Sequence, residues 1–153
     1  MFVYRIVKSK WAQALDGEGS RRYGGRWNHP GTSCIYTSES RALALLEYTI
    51  NTNPDDIPRR LSIVTLQLHE PITSNISTVK ISSLPGDWRN SPAPASTKDF
   101  GTGLLKENTP ALRMPSVIIP EEFNVLLNPV NFVRGSVKVT AVQDLVYDIR
   151  IKG

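Results

Sequence analysis

The spacing of the hydrophobic residues changes at Ser38 from one typical of a strand to one typical of a helix, and this change most constrains the fold of the chain. Residues 33–37, "SCIYT", are short, rich in strand-forming residues and bounded by turn residues, which predicts a strand. Directly afterwards, "SESRALALLEYTIN" provides serines that can cap a helix, followed by Ala42, Leu43, Leu46 and Ile50 at helical spacing. The sequence therefore predicts a helix that follows a strand with almost no connection and ends within residues 51–54.

The rest of the chain is rich in strand patterns. Residues 2–7, 60–72, 111–119 and 137–151 are predicted strands, and a polar, glycine-rich loop follows the first of them. Prolines make residues 84–96 a loop, and residues 96–107 form a short predicted helix despite two glycines. Without internal repeats or a long linker, residues 1–153 are predicted to form a single compact α+β domain with more strand than helix.

Composition excludes several classes of function. One cysteine rules out an intramolecular disulfide, and two distant histidines make a metal site improbable. The apolar run at the N-terminus is too short for a signal peptide or a membrane span, which predicts a cytoplasmic protein without membrane contact. A net charge of +4 suggests an anionic partner, but the basic residues are scattered, and no direct binding of nucleic acid is expected.

Glu47 lies at the border of the apolar face of the predicted helix. Four residues separate it from Leu43, which places the two side chains about 40° apart around the helix axis. A carboxylate in that position is costly unless it is paired or lies in a wet cleft. Glu47 is therefore either a half-exposed residue that covers the edge of the core or a carboxylate that points into a pocket.

The segment "GGRWN" combines flexible glycines with a cation. Arg26 offers paired donors that suit a phosphate or a carboxylate, although it could equally pair with a surface acid beside a simple turn. Trp27 is expected to pack in the core whatever the function of the segment. Tyr36, ten positions after Arg26, is either a core residue or a stacking platform for a nucleobase or nicotinamide.

Further polar candidates occur in the second half of the chain. Ser116 follows Pro115, so we expect an extended conformation with a displayed hydroxyl that donates a hydrogen bond. A Ser-His-Asp hydrolase is disfavoured because no G-x-S-x-G motif surrounds it. Asn124 and Asn128, in "FNVLLNP", border an apolar segment, and Asn128 before Pro129 could simply form a turn.

The order of these segments resembles the RES domain family, the toxin half of bacterial type II toxin–antitoxin pairs. The matching segments are "VYRIV", "GGRWNHPGTSCIYTSES", "ALALLE", "TKDFG", "MPSVIIPEEFNVLLNP" and "YDIRI". The resemblance implies a fold similar to that of ADP-ribosyltransferases and toxicity through degradation of NAD⁺. NAD⁺ would be a substrate, with no cofactor or metal.

The resemblance also assigns roles to residues and implies partners. Arg26 would anchor the phosphates, Tyr36 would lie against the nicotinamide, and Glu47 would be the catalytic carboxylate, while the residues expected to contact substrate are Trp27, Ser116 and Asn128. A cognate Xre-like helix-turn-helix antitoxin is implied, together with a possible homodimer inside the complex. One departure is Asn131, where family members often carry a histidine shortly after the Asn-Pro pair.

The chemistry of NAD⁺ cleavage makes this set of residues intelligible. Nicotinamide departs neutral, so the transition state mainly needs stabilisation of positive charge on the ribose, which one carboxylate can provide. The acceptor of the ADP-ribosyl group would be water or phosphate. Two alternatives stay open at this stage: transfer of ADP-ribose to a protein side chain, and a non-catalytic module that binds nucleotides or nucleic acid.

Overall fold

One mixed sheet forms the centre of the protein, which we describe from a computed structural model covering residues 1–57 and 60–152. Pro58, Arg59 and Gly153 of the predicted domain lie outside the described residues. The strands are β1 (Phe2–Lys8), β2 (Ile35–Ser38), β3 (Leu61–Leu68), β4 (Ile76–Thr78), β5 (Ala111–Pro115), β6 (Phe123–Leu127) and β7 (Val137–Leu145). The α-helices are α1 (Glu18–Tyr23), α2 (Arg41–Ile50) and α3 (Ala95–Leu105). The architecture is α+β, as predicted.

The strand order across the sheet is β4-β5-β6-β2-β1-β3-β7. β4 and β5 are parallel, and the other neighbours are antiparallel. β1 pairs with β3 along its whole length, whereas its pairing with β2 is confined, within the described chain, to Tyr4 and Ser38. β1 and β2 are therefore joined at one end only, and the sheet is open between these two strands along the rest of their length.

Each face of the sheet carries its own apolar packing. One face holds a continuous core built on side chains such as Val64, Leu66 and Val125. The opposite face holds two separate clusters, one around Trp27, Leu112 and Leu126 and one around Ile6, Ala44 and Leu61. Two clusters on one face leave room for a cleft between them.

The predicted helix after Ser38 is confirmed as α2. It begins after Ser40, whose side chain caps it by accepting the N–H of Leu43 at 3.1 Å. Of the predicted apolar pattern, Leu43 is buried and Leu46 is half buried, but Ala42 is exposed and Ile50 is half exposed. Ala44, which the pattern did not include, is buried instead. The predicted helix at residues 96–107 is confirmed as α3.

Several predicted boundaries were wrong. The strand expected over 60–72 ends at Leu68, and the one expected over 137–151 ends at Leu145 and is followed by a short 3₁₀ turn at Ile149–Lys152. The strand expected over 111–119 ends at Pro115, because the hydroxyl of Ser116 accepts backbone N–H groups from residues 118 and 119 and turns the chain. α1, β4 and β6 were not predicted.

In the part of the chain that the structure covers, no helix is long and apolar enough to span a bilayer. α1 and α2 have 6 and 10 residues, and α3 has 11, whereas a spanning helix needs about 20.

Candidate active site

A cavity of about 470 Å³ lies between the two apolar clusters on one face of the sheet. β1, β2 and β6 provide its floor, α2 provides one wall, and the loop that carries Arg26 provides the other. Among the residues that line it, those whose side chains can bind or react with a ligand include Tyr4, Arg5, Arg26, Tyr36, Glu47, Tyr48 and Asn124. The volume falls in the range of about 300–1,000 Å³ that is typical of sites for small molecules.

Glu47 points from α2 into this cavity and is fixed by two donors. Its Oε1 accepts a hydrogen bond from the hydroxyl of Ser116 at 2.8 Å and another from Nδ2 of Asn124 at 2.6 Å. Among the described residues nothing donates to Oε2, which leaves that oxygen available to a ligand. Of the two interpretations of Glu47, the structure shows the second, a carboxylate that points into a pocket.

Asn124 is itself held in one orientation. It lies directly opposite Ser38 in the β2–β6 pair, and its Oδ1 accepts the Ser38 hydroxyl hydrogen bond at 2.6 Å. With its oxygen engaged by Ser38, the amide presents its NH₂ group to Glu47. Asn124 was considered in the sequence but not assigned to the site, because no local pattern shows that β6 pairs with β2.

Ser116 is the other donor to Oε1 of Glu47. It is fully buried, so the expectation of a displayed hydroxyl was wrong, although the expectation that the hydroxyl donates a hydrogen bond is confirmed. The same oxygen accepts the N–H of Ile118 at 3.1 Å and that of Ile119 at 3.3 Å. These two donors fix the position of the oxygen and direct its own proton toward Glu47.

Arg26 lies across the cavity on the loop between α1 and β2. Its Nη1 donates to the carbonyl oxygens of Trp88 at 3.1 Å and Asn90 at 2.9 Å. Burial lowers the pKa of the guanidinium, and the carboxylate of Glu47 opposes that change; an arginine nevertheless remains charged at neutral pH. Because both acceptors are neutral carbonyls, the positive charge faces the cavity without an ion-paired partner in the described chain.

Tyr36 connects the Arg26 loop to the sheet. Its hydroxyl donates to Oδ1 of Asn28 at 2.6 Å and accepts the backbone N–H of Trp27 at 3.0 Å. Burial raises the pKa of this phenol well above its ordinary value, so Tyr36 is protonated at neutral pH and does not act as a base. A Cβ on Gly25 would lie 2.6 Å from the hydroxyl oxygen, so this glycine makes room for Tyr36.

Helix α3 holds the Arg26 loop from behind. Nζ of Lys98 donates to the Gly25 carbonyl at 3.0 Å, and the hydroxyl of Thr102 accepts the N–H of His29 at 2.9 Å. Between them, Gly101 lies directly against the backbone of Trp27. Trp27 is buried and packs against Trp88 with ring centroids 6.4 Å apart, as expected for a core residue, and it also lines the cavity.

Asn128 does not join the other predicted site residues. It is buried at the end of β6, where its Nδ2 donates to the Leu105 carbonyl at 2.7 Å, and it is not among the residues that line the cavity. Asn131, the departure from the family pattern, also lies away from the cavity lining and donates to the Thr109 carbonyl at 3.4 Å. The amide that contacts Glu47 is Asn124.

These positions predict different effects for substitution of the two asparagines. Asn124→Ala should lower by about tenfold or more any turnover that depends on Glu47, because a hydrogen bond to a charged group contributes about 1.5–3 kcal/mol. Asn128→Ala should keep turnover but lower the free energy of unfolding by about 1–3 kcal/mol, because it leaves the buried Leu105 carbonyl unsatisfied. Denaturant titration and steady-state kinetics on both variants measure the two effects, and the reverse pattern would contradict the assignment.

In residues 1–57 and 60–152, no three His, Cys, Asp or Glu side chains are grouped so that they could hold an ion. The polar groups that line the cavity are carboxylate, guanidinium, amide and hydroxyl groups.

Comparison with known proteins identifies the family. The model of the RES domain matches residues 2–149, almost the whole chain. The chain belongs to the RES domain family. Curated relatives include "Toxin Res" of Yersinia enterocolitica, 37% identical over 131 residues that cover 84% of each chain. Another is "Prs ADP-ribosylating toxin" of a Sphingobium strain, 33% identical over 141 residues that cover 92% of this chain and 88% of the relative.

A solved structure supports the fold of this RES domain. The match is to the toxin–antitoxin complex MbcT–MbcA of M. tuberculosis, with a TM-score of 0.76 over 94% of this chain and 83% of the matched chain. Sequence identity is 18%, so this likeness carries the fold alone.

Proposed function

We propose that this RES domain is the toxin of a toxin–antitoxin pair and acts by cleaving the nicotinamide–ribose bond of NAD⁺. Family membership and the relatives named as toxins support the toxin role. The observation that carries the enzymatic proposal is the arrangement of Glu47, fixed at one carboxylate oxygen and open at the other, across a cavity from Arg26. A site that only binds a polyanion has no use for such a carboxylate, because it repels the ligand.

In the proposed mechanism, Glu47 stabilises the positive charge that develops on the ribose. The bond between C1 of the ribose and the nicotinamide nitrogen breaks, and its electron pair neutralises the pyridinium, so the leaving group needs no acid. The free Oε2 of Glu47 accepts a hydrogen bond from a ribose hydroxyl and opposes the oxocarbenium charge. Ser116 and Asn124 act as positioning residues, since both contact only the other oxygen of this carboxylate.

Arg26 and Tyr36 hold the substrate in this scheme. The guanidinium of Arg26 binds a phosphate oxygen of the dinucleotide, for which its planar arrangement of donors is suited. The ring of Tyr36 lines the cavity while its hydroxyl is engaged by the protein, so the aromatic face is the part offered to the nicotinamide. Together they restrict the orientation of the bond that breaks.

The acceptor of the ADP-ribosyl group distinguishes two activities. With water or phosphate, an oxygen of the acceptor forms the new bond to C1 of the ribose and releases a proton. With a protein side chain as acceptor, the enzyme is a mono-ADP-ribosyltransferase. The second activity is favoured by one specific observation, the 33% identity to a relative named "Prs ADP-ribosylating toxin".

Incubation of the purified chain with NAD⁺ tests the proposal directly. We expect release of nicotinamide, with free ADP-ribose as the co-product in plain buffer or its 1″-phosphate in phosphate buffer. If nicotinamide appears only after a protein target is added, and the target gains the mass of ADP-ribose, the activity is transfer. If no nicotinamide is released under any of these conditions, the chain does not cleave NAD⁺.

A toxin that consumes a central cofactor requires restraint, so the proposal includes a cognate Xre-like antitoxin. The matched solved structure is itself a toxin–antitoxin complex, which supports an antitoxin as partner. The net charge of +4 suits an acidic element in that partner. A homodimer of this chain within the complex is part of the same proposal.

A further inference from the structure

A second cavity of about 660 Å³ adjoins the candidate active site. The two cavities share lining residues Arg5, Ile6, Ser20 and Tyr36. The second one extends from these residues along the part of β1 and the start of β2 that do not pair with each other. It is therefore a continuation of the same cleft, made possible by the opening of the sheet.

Two exposed aromatic side chains line the second cavity. Trp11 is 57% exposed and Tyr23 is 80% exposed, whereas Trp27 and Trp88 are buried. Large aromatic rings left in water at the edge of a cavity suit the binding of a flat ring, because stacking removes apolar surface from water on both partners. The second cavity thus has the features expected of a site for a nucleobase.

A cation lies where the two cavities meet. Arg5 lines both of them, and its Nη2 donates to the backbone carbonyls of Trp11 and Ala14. Those acceptors position the guanidinium without neutralising its charge. Arg5 therefore places one positive charge at the junction, and Arg26 places another in the first cavity. A ligand with two linked phosphates requires such a pair of cations.

The second cavity carries charges of both signs. The cations Lys8 and Arg22 and the carboxylates Asp16 and Glu18 contribute to its lining. Glu18 is paired with Arg21 and Arg22, and Asp16 is close enough to Arg5 to oppose the lowering of the Arg5 pKa by burial. Carboxylates repel phosphate but accept hydrogen bonds from hydroxyl and amino groups. Cations beside carboxylates favour a ligand that combines phosphates with hydroxyl and amino groups, as a nucleotide does.

We infer that the second cavity binds the adenosine half of the dinucleotide, with the adenine stacked on Trp11 or Tyr23 and the diphosphate at the junction beside Arg5. This inference rests on the proposed function, because it takes NAD⁺ as the ligand of the first cavity. It assigns to the protein a specificity for the complete dinucleotide over its nicotinamide half alone.

The kinetic test compares NAD⁺ with nicotinamide mononucleotide, which lacks the adenosine half. In the Trp11→Ala/Tyr23→Ala variant, KM for NAD⁺ should rise about tenfold, the effect of losing one base stacked on an aromatic ring, while kcat/KM for the mononucleotide stays unchanged. The backbone carbonyl of Trp11 that positions Arg5 remains in this variant. Phe2→Ala, which removes a half-exposed ring outside both cavities, is the matched control and should change neither value.

A binding measurement separates this inference from the proposed activity. Calorimetric titration of the full chain with adenosine 5′-monophosphate should show binding that the double variant weakens about tenfold and that Phe2→Ala leaves intact. If the double variant, folded by circular dichroism, keeps the wild-type affinity for this nucleotide and the wild-type KM for NAD⁺, the adenosine site is refuted even where NAD⁺ is cleaved. If the nucleotide binds as expected but NAD⁺ is not cleaved, the adenosine site stands and the proposed function fails.

Discussion

Glu47→Gln is expected to slow NAD⁺ cleavage about 100- to 1,000-fold, the range found when one preorganised electrostatic contributor is removed from a catalytic site. KM should change little, because Glu47 acts on charge that develops only in the transition state. The substitution keeps the shape of the side chain, and its amide oxygen can still accept hydrogen bonds from Ser116 and Asn124. What is lost is the negative charge facing the ribose.

The measurement needs a control for general effects of the substitution. Glu107→Gln removes the same charge from an exposed glutamate after α3, outside the lining of the cavity, and should leave kcat at the wild-type value. Induction of both variants in cells provides a second readout, since Glu107→Gln should deplete NAD⁺ and Glu47→Gln should not. Undiminished turnover by purified Glu47→Gln would remove the carboxylate from the mechanism.

Local sequence patterns predicted those helices and strands that interactions between neighbouring residues determine. α2 follows from its apolar spacing and the capping serine, and the position of Glu47 at the border of the apolar face follows from helical geometry. α1 was not predicted because its sequence, "EGSRRY", is short and contains a glycine, and β4 has only three residues. Segments as short as these acquire their conformation from tertiary packing.

The polar support of Glu47 could not be predicted from local patterns, because it depends on strand pairing. Ser116 and Asn124 are 69 and 77 residues from Glu47 in sequence, and the register that brings Asn124 opposite Ser38 is set by packing of the whole sheet. The resemblance to RES domains predicted that Ser116 contacts substrate and selected Asn128 as the pocket amide. In the structure Ser116 contacts Glu47 and is not among the residues that line the cavity. Asn124 is the second residue of β6 and faces the cavity. Asn128 directly follows the end of β6 and does not face the cavity.

The glycines of the Arg26 loop determine the shape of the loop itself. Glycine permits positive φ angles and a close approach of the backbone to another group. In the structure, Gly24 has a positive φ of 72° and Gly25 is packed against Tyr36, so both are required by the protein itself. The shape of the loop is therefore built before any ligand binds, which favours a preorganised site.

Gly101→Ala is expected to lower the free energy of unfolding by about 3 kcal/mol, the upper part of the usual range for overpacking a core. In most helices this substitution is stabilising, because alanine restricts the unfolded chain and favours the helix. Here the added Cβ would lie 2.0 Å from the carbonyl oxygen of Trp27 and 2.7 Å from its Cβ. Neither atom can move unless the backbone of the Arg26 loop moves away from α3.

Gly103→Ala is the matched control for this prediction, since it lies two residues further along α3, is exposed, and has no atom within 4 Å of an added Cβ. It should raise the free energy of unfolding by about 0.5–1 kcal/mol. Denaturant titration of the two variants measures the difference, and steady-state kinetics on the folded fraction of Gly101→Ala should show a raised KM for NAD⁺, because displacement of the loop moves Arg26. If Gly101→Ala is as stable and as active as Gly103→Ala, the close contact of Gly101 with Trp27 does not hold the Arg26 loop in place.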